Sequence, residues 1–387
     1  MSFENTPSFA TGLVALLAVG GIACGDPFTA SPGTGGSTST STSTLTGGGN
    51  NTGGGGNGGF AEGGGGTGGE GGVTVPCTVG APQACEPGEY CSASTTRCTS
   101  CADLGDLRFG EPSLMGIQSV GGSRISPRAR LRGDGIEELI FNANVGGMGT
   151  DIITALRNDG GWDQGVLVPG NAVNTTGQEL APIQLPPGAT IPSVGLSEPI
   201  LFTGMASGRR QIYMATSGSD TRANLPGVNQ AADDSFSLAV AYTQSPPRYW
   251  FMRRTGGAGA YRFVTQTAGS TVPVPVDDRL IVPGGCTVSL VQNTDIAPWV
   301  TPDGKYLLFQ ANYPAACNED SKGLRAFYVQ LNELNGEPTG EAKEIAIDDF
   351  SITAPVRTPS LSPDFCSLYF ATEDMSGVRD LYSAPRR

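Results

Sequence analysis

The sequence predicts an all-β fold, a β-propeller of five or six blades, and three observations carry that prediction. A pattern of a strand, a tight turn and two more strands recurs five times between Leu104 and Arg387. The strand after the turn is apolar on both faces, as at Tyr306-Leu307-Leu308-Phe309, so its sheet must lie between similar sheets. The chain also stops directly after the last recognisable strand, which leaves the final blade without an outer strand.

From the N-terminus, the first element is an apolar run over Phe9 to Ala23. It is short and Gly-rich for a membrane span of about 20 residues, and its length suits an export signal over residues 1–23. The run closes on Gly21-Ile22-Ala23-Cys24-Gly25, which resembles the lipobox of bacterial lipoproteins. That resemblance implies a mature N-terminus at Cys24, acylated there. With Gly25 following in place of Asp, it also implies residence in the cell envelope at the outer membrane. The alternative is an ordinary secretory signal that leaves Cys24 free or disulfide-paired.

Residues 24–76 then form a linker. Half of positions 33–72 are Gly and most of the rest are Ser, Thr or Asn, too little apolar surface to offset chain entropy. As a flexible tether it spans about 40 Å. The Ser/Thr repeat from Ser37 to Thr44 reads as solvated linker.

Eight cysteines follow Cys24. Cys77, Cys85, Cys91, Cys98 and Cys101 crowd into a segment over residues 77–103, while Cys286, Cys317 and Cys366 are scattered. Export favours disulfides, and five and three are both odd numbers. If all eight pair, at least one bond must tie the Cys-rich segment to the domain behind it. The Cys98-Thr99-Ser100-Cys101 spacing also occurs in zinc sites, but no second matched pair accompanies it, so no metal is expected.

The repeat domain occupies residues 104–387. Its clearest turns are Thr301-Pro302-Asp303-Gly304, Ser362-Pro363-Asp364-Phe365 and Arg132-Gly133-Asp134-Gly135. Pro suits the second position of a type I turn, Asp bonds the local backbone, and Gly closes the turn, so the motif joins antiparallel strands. Degenerate copies reach Phe202 and Phe251. A further strand follows each copy, at Asp151, Gln211, Ala260, Ala326 and Asp380, with steps of 60, 49, 66 and 54 residues between them. Such steps suit five blades with insertions, or six with one hidden around Asp277 to Leu290. Leu107 to Val120 is expected to supply the missing outer strand and close the ring.

With these residues in view, the repeat resembles that of TolB-type β-propellers: Ser-Pro-Asp-Gly, an apolar strand ending in Tyr-Phe, a Gly-rich loop, then Asp-Leu-Tyr. The resemblance implies partner proteins in the periplasm or at the cell surface.

The chemistry is bounded by what the chain lacks. It holds 23 Lys and Arg against 36 Asp and Glu, a net charge of −13, and no histidine. Imidazole-based triads, His-ligated metals and nucleic-acid binding are thereby disfavoured. No calcium loop, nucleophile elbow, phosphate loop or dinucleotide fingerprint occurs, so no cofactor is expected. Arg132-Gly133-Asp134 spells an integrin-binding tripeptide but sits where the other repeats turn. Adjacent acids at Glu137-Glu138, Asp233-Asp234, Asp277-Asp278, Glu319-Asp320, Asp348-Asp349 and Glu373-Asp374 point to opposite faces when on a strand. They read as surface charge, and no catalytic residue is assigned. Trp162, Trp250 and Trp299 belong to the core, unless one lines a binding mouth.

The leading expectation is a lipid-anchored envelope protein whose propeller binds or scaffolds a partner protein, and is not an enzyme. The alternative is a carbohydrate-binding protein or glycosidase using carboxylates in the propeller channel. Two facing carboxylates in a deep pocket beside a Trp would favour the alternative, and a filled channel would count against it.

Overall fold

The computed structural model describes residues 89–92, 97–118, 122–145, 149–191, 196–257, 259–288, 296–312, 324–348, 355–373 and 377–387. The export signal, Cys24, the linker, Cys77, Cys85 and Cys317 lie outside these residues, as do Glu319, Asp320, Asp349 and Asp374.

Five antiparallel sheets form the five blades of a propeller. Blade 1 runs outward through Arg124–Leu131, Glu137–Asn144, Thr150–Asn158 and Val166–Leu167. Blade 2 comprises Leu180–Gln184, Ile200–Ala206, Arg209–Ala215 and Ala223–Asn224. Blade 3 comprises Asp234–Ala241, Arg248–Arg254, Arg262–Thr267 and Val274–Pro275. Blade 4 comprises Trp299–Val300, Tyr306–Asn312, Leu324–Leu331 and Pro338–Glu344. Blade 5 comprises Arg357–Leu361, Ser367–Glu373 and Arg379–Pro385, and its outer strand is Ser113–Leu114 from before blade 1. Ser113 pairs with Ser383 and Leu114 with Tyr382, so the ring closes through the segment expected to close it.

Among the described residues, no sixth blade forms between Asp277 and Val288. Asp277–Arg279 is a single 3-10 turn, and Ile281–Val282 and Cys286–Thr287 make a hairpin on the outer edge of blade 4. Two-residue strands are too short to build an independent sheet. Leu280 and Val282 instead bury themselves in the core between blades 3 and 4.

The core repeats with the blades. Phe141, Phe202, Phe251, Phe309 and Phe370 occupy matching positions on the five second strands, and each is fully buried. Burying each stabilises the fold by about 2–3 kcal/mol. The turns behave as their residues dictate. Thr301 Oγ1 donates to Asp303 Oδ1 (2.6 Å) and Gly304 N–H to Thr301 O (2.8 Å), and the Ser362-Pro363-Asp364 turn repeats the set with Phe365 N–H donating to Ser362 O (2.9 Å). In the first repeat, Gly135 N–H donates to Arg132 O and Ile136 N–H to Asp134 Oδ1. Arg132-Gly133-Asp134 is therefore a strand-joining turn. Phe365 holds a left-handed φ of 62° where blade 4 has Gly304.

The inner strands are kinked. Ser126, Ala181, Ser237, Ala297 and Thr358 each take a left-handed φ at the same stage of the approach to the channel. Pairing slips beside four of them, as expected of β-bulges, which bend a strand and free a backbone N–H. Side chains of the preceding blade accept those protons: Asn142 Oδ1 from Ala181, Thr203 Oγ1 from Ser237 and Gln310 Oε1 from Thr358. Ser126 N–H donates to Thr358 Oγ1.

The Cys-rich segment contributes a hairpin of Glu89–Ser92 with Arg97–Ser100. A disulfide joins Cys101 to Cys366 across 265 residues, binding this segment to blade 5. Cys98 and Cys286 are disulfide-bonded as well.

Candidate functional site

The inner strands all run toward one face of the ring, and the turns that follow them frame the mouth of the central channel. Blade 1 sends Arg128, Arg130 and Arg132 to that channel and its rim at alternate positions, as strand periodicity requires. Arg128 goes deepest. It is buried, and its guanidinium donates to the carbonyls of Pro127 (2.9 Å), Thr358 (3.2 Å) and Pro298 (3.2 Å), spanning blades 1, 5 and 4. Arg128 thus bridges three blades, and with the residues above it lines a cup at the channel mouth.

The cup has a volume of about 260 Å³. Tyr242, Trp299 and Phe365 supply its aromatic wall, with Val240, Ile183 and Leu131 between them. The Trp299 and Phe365 rings meet edge to face at 6.3 Å, and Trp299 is half-buried. Burial in this apolar wall lifts the Tyr242 hydroxyl above the ordinary tyrosine pKa. Trp250, by contrast, is fully buried and donates its indole N–H to Gly336 O, and Trp162 packs edge-on against Tyr369.

A polar cleft of about 520 Å³ adjoins the cup between blades 1 and 2, and Arg130 and Gln184 line both. Arg130 is buried and organises the cleft. Its Nε lies 2.9 Å from Glu138 Oε2, and its Nη1 lies 2.8 Å from both Glu198 Oε2 and Leu185 O. Two carboxylates, 60 residues apart in the sequence, therefore flank one guanidinium. Asp134 and Arg132 form a further ion pair (3.2 Å) at the rim, beside Ser197, Thr216 and Ser217. Gln184 Oε1, at the junction of cup and cleft, is buried without a hydrogen-bond partner.

Of the adjacent acids, every described one is held by arginine. Glu137 pairs with Arg157, Glu138 with Arg130, Asp233 with Arg253, Asp234 with Arg254, and Asp277 and Asp278 with Arg262. Asp348 pairs with Arg387, and Glu373 with Arg357 and Arg379. Glu137 and Glu138 do point to opposite sides of their strand, Glu137 meeting the Tyr369 hydroxyl at 2.7 Å. Among the described residues no cluster of acids, cysteines or histidines could hold a metal ion.

One carboxylate escaped the sequence reading. Glu179, just before the inner strand of blade 2 and so toward the ring face away from the mouth, is fully buried. Burial raises its pKa above the ordinary glutamate value, against the opposing effects of the Thr175 hydroxyl (2.5 Å) and of Arg222 (3.8 Å), while nearby Asp151 pushes it further up. Asp151 is itself raised by burial. Neither acid has an acidic sequence neighbour, which is why a search for pairs passes over both.

No family model matches the chain, and no curated protein matches it. Solved structures do. An α-L-arabinofuranosidase from Podospora anserina aligns at 10% identity over 73% of this chain and 96% of its own, with a TM-score of 0.42. An arabinanase from Bacillus subtilis aligns at 10% identity over 70% of this chain and 96% of its own, with a TM-score of 0.44. A protein of unknown function from Dyadobacter fermentans aligns at 12% identity over 73% of this chain and all of its own, with a TM-score of 0.42. Of the resemblance drawn from the turn motifs, the β-propeller fold is what the structure establishes.

Proposed function

We propose that the propeller is a carbohydrate-binding module whose ligand enters the channel mouth. The observation that carries this reading is the continuity of an aromatic cup with a polar cleft through Arg130 and Gln184. A sugar ring presents apolar C–H faces and a polar rim, so it needs an aromatic wall and hydrogen-bonding groups within one concavity. Trp299 and Tyr242 would take the face. Gln184, Glu198 and Ser197 would take hydroxyls, and the unpartnered Gln184 oxygen is suited to accept one. Glu138 and Glu198 are engaged as ion-pair partners of Arg130, which supports binding over hydrolysis at this mouth.

Display on the cell envelope through a lipid on Cys24, with the Gly-rich linker as tether, belongs to the same proposal. A protein partner is the weaker reading, because the mouth is a narrow concavity and not a broad apolar surface. Glycan arrays followed by calorimetry test it. The wild-type chain retains a glycan, and Trp299→Ala weakens that binding about tenfold. A chain that retains none, or a variant that binds as well as wild type, refutes it.

A second reading, glycoside hydrolysis, is favoured by one observation, the raised pKa of Glu179 beside Asp151. Burial that favours the protonated carboxyl is the kind of environment that suits a general acid. Hydrolysis of a retained glycan that vanishes in Glu179→Gln would support it, and turnover undiminished in that variant would end it.

A further inference from the structure

The structure assigns a second ligand site, independent of the channel mouth: an oxyanion clamp on blade 3, at the end of that blade away from the mouth. Arg253 and Arg262 are directly paired across neighbouring strands and share one face of the sheet. Both line a cavity of about 250 Å³ together with Thr255, Val264, Pro273 and Pro275.

The two guanidiniums are held alike. Arg253 bonds through Nε and Nη2 to Asp233 Oδ2, and Arg262 bonds through Nε to Asp277 (2.6 Å) and through Nη2 to Asp278 (2.9 Å). Each is therefore fixed along one edge and leaves Nη1 unused. Arg253 is buried, and its Nη1 has no hydrogen-bond partner. A buried donor without an acceptor is unfavourable, and such a group in a folded protein calls for a missing partner.

An oxyanion is the partner this arrangement fits. Guanidinium forks match the spacing of carboxylate, sulfate and phosphate oxygens, and aspartates that pin both forks remove the entropy of ordering them. Thr255 can donate a hydroxyl, and no carboxylate lines the cavity. Val264, Pro273 and Pro275 form an apolar wall suited to the body that carries the anion. Asp233, Asp277 and Asp278 outnumber the two guanidiniums, so the cluster carries a net charge of −1; an anion is held there by directed hydrogen bonds and not by net charge, and binding is expected to be weak. The ligand class is a carboxylate- or sulfate-bearing molecule, such as a uronic acid or a sulfated sugar.

The test titrates the full-length chain by calorimetry with glucuronate, with inorganic sulfate, and with glucose as the uncharged control, all at constant ionic strength. Glucuronate or sulfate binds with one-to-one stoichiometry, and Arg262→Gln weakens it about tenfold, as expected for one charge-assisted hydrogen bond. Arg262 is surface-accessible, so this variant leaves the core intact, and Thr255→Val provides a second, milder loss. A preference for glucuronate over sulfate identifies a carboxylate site, and the reverse a sulfate site. Binding that survives Arg262→Gln but is lost in Trp299→Ala belongs to the channel mouth and overturns the assignment. Absence of binding by both anions overturns it too, whatever the channel mouth retains.

Discussion

Replacing both Cys101 and Cys366 with Ser opens a covalent loop spanning 265 residues. The native contacts around the bond do not depend on it. Leu104, Leu107 and Phe109 stay buried against blades 4 and 5, and the Arg386 guanidinium still donates to the carbonyls of Cys101, Asp103 and Asp106. The bond therefore acts chiefly on the unfolded chain. The loop-closure relation for this separation gives about 5–6 kcal/mol at 25 °C. Cys98 and Cys286 are tied by other bonds that already restrict the unfolded ensemble, so about 3–5 kcal/mol is the expected loss. Guanidinium unfolding without reductant, fitted for both midpoint and slope, measures it. The midpoint falls, and the slope rises slightly because the opened chain exposes more surface. A loss under about 1 kcal/mol with an unchanged slope would refute the reasoning, since the unfolded chain would then be no freer without the bond.

Other outcomes follow from the same structure. Glu179 keeps its proton in the folded protein at pH values where the unfolded chain has lost it, so stability falls as pH rises from the ordinary glutamate range through its raised value. Glu179→Gln reduces that slope, leaving the part contributed by Asp151, and is more stable than wild type above the ordinary glutamate range, as denaturation at several pH values will show. Gly304→Ala meets Ala241 and Gln244 as well as an unfavourable φ, whereas Gly135→Ala meets only the φ; the first costs about 2 kcal/mol and the second about 1 kcal/mol by thermal unfolding. Phe309→Ala empties the core between blades 3 and 4 and costs about 3–5 kcal/mol, read by chemical denaturation. Deleting residues 107–118 bares the edge of blade 5 and yields aggregates by light scattering, while a soluble monomer would show that the edge needs no cover.

The blades were legible where local chemistry repeats. Pro302-Asp303-Gly304 and Pro363-Asp364 mark turns through their own backbone preferences, and one buried Phe recurs per blade, so the ring and its closing strand follow from short-range patterns. Blade 2 hid its turn because a long connection, with a local turn at Pro186 to Ala189, replaces the short one. The hairpin over Ile281 to Thr287 mimics strand sequence but is too short to make a blade. The site was less legible. Trp299 meets Phe365 only because neighbouring blades bring their turns together, and Arg130 meets Glu198 only across the gap between blades 1 and 2. Glu179 carries no local signal at all, since its character comes from burial.

The capped bulges of the inner strands give the ring a direction. Blade 1 supplies the cap for blade 2, blade 2 for blade 3 and blade 4 for blade 5, each from its second strand. The seam between blades 5 and 1 is joined differently, through the side chain of one bulge residue and the backbone of another. A blade moved or duplicated by genetic rearrangement would carry the cap for its successor but not the one it needs itself. A circularly permuted chain cut between blades keeps every cap with its donor and preserves these junctions. A transplanted blade keeps its fit only when its predecessor presents a matching acceptor.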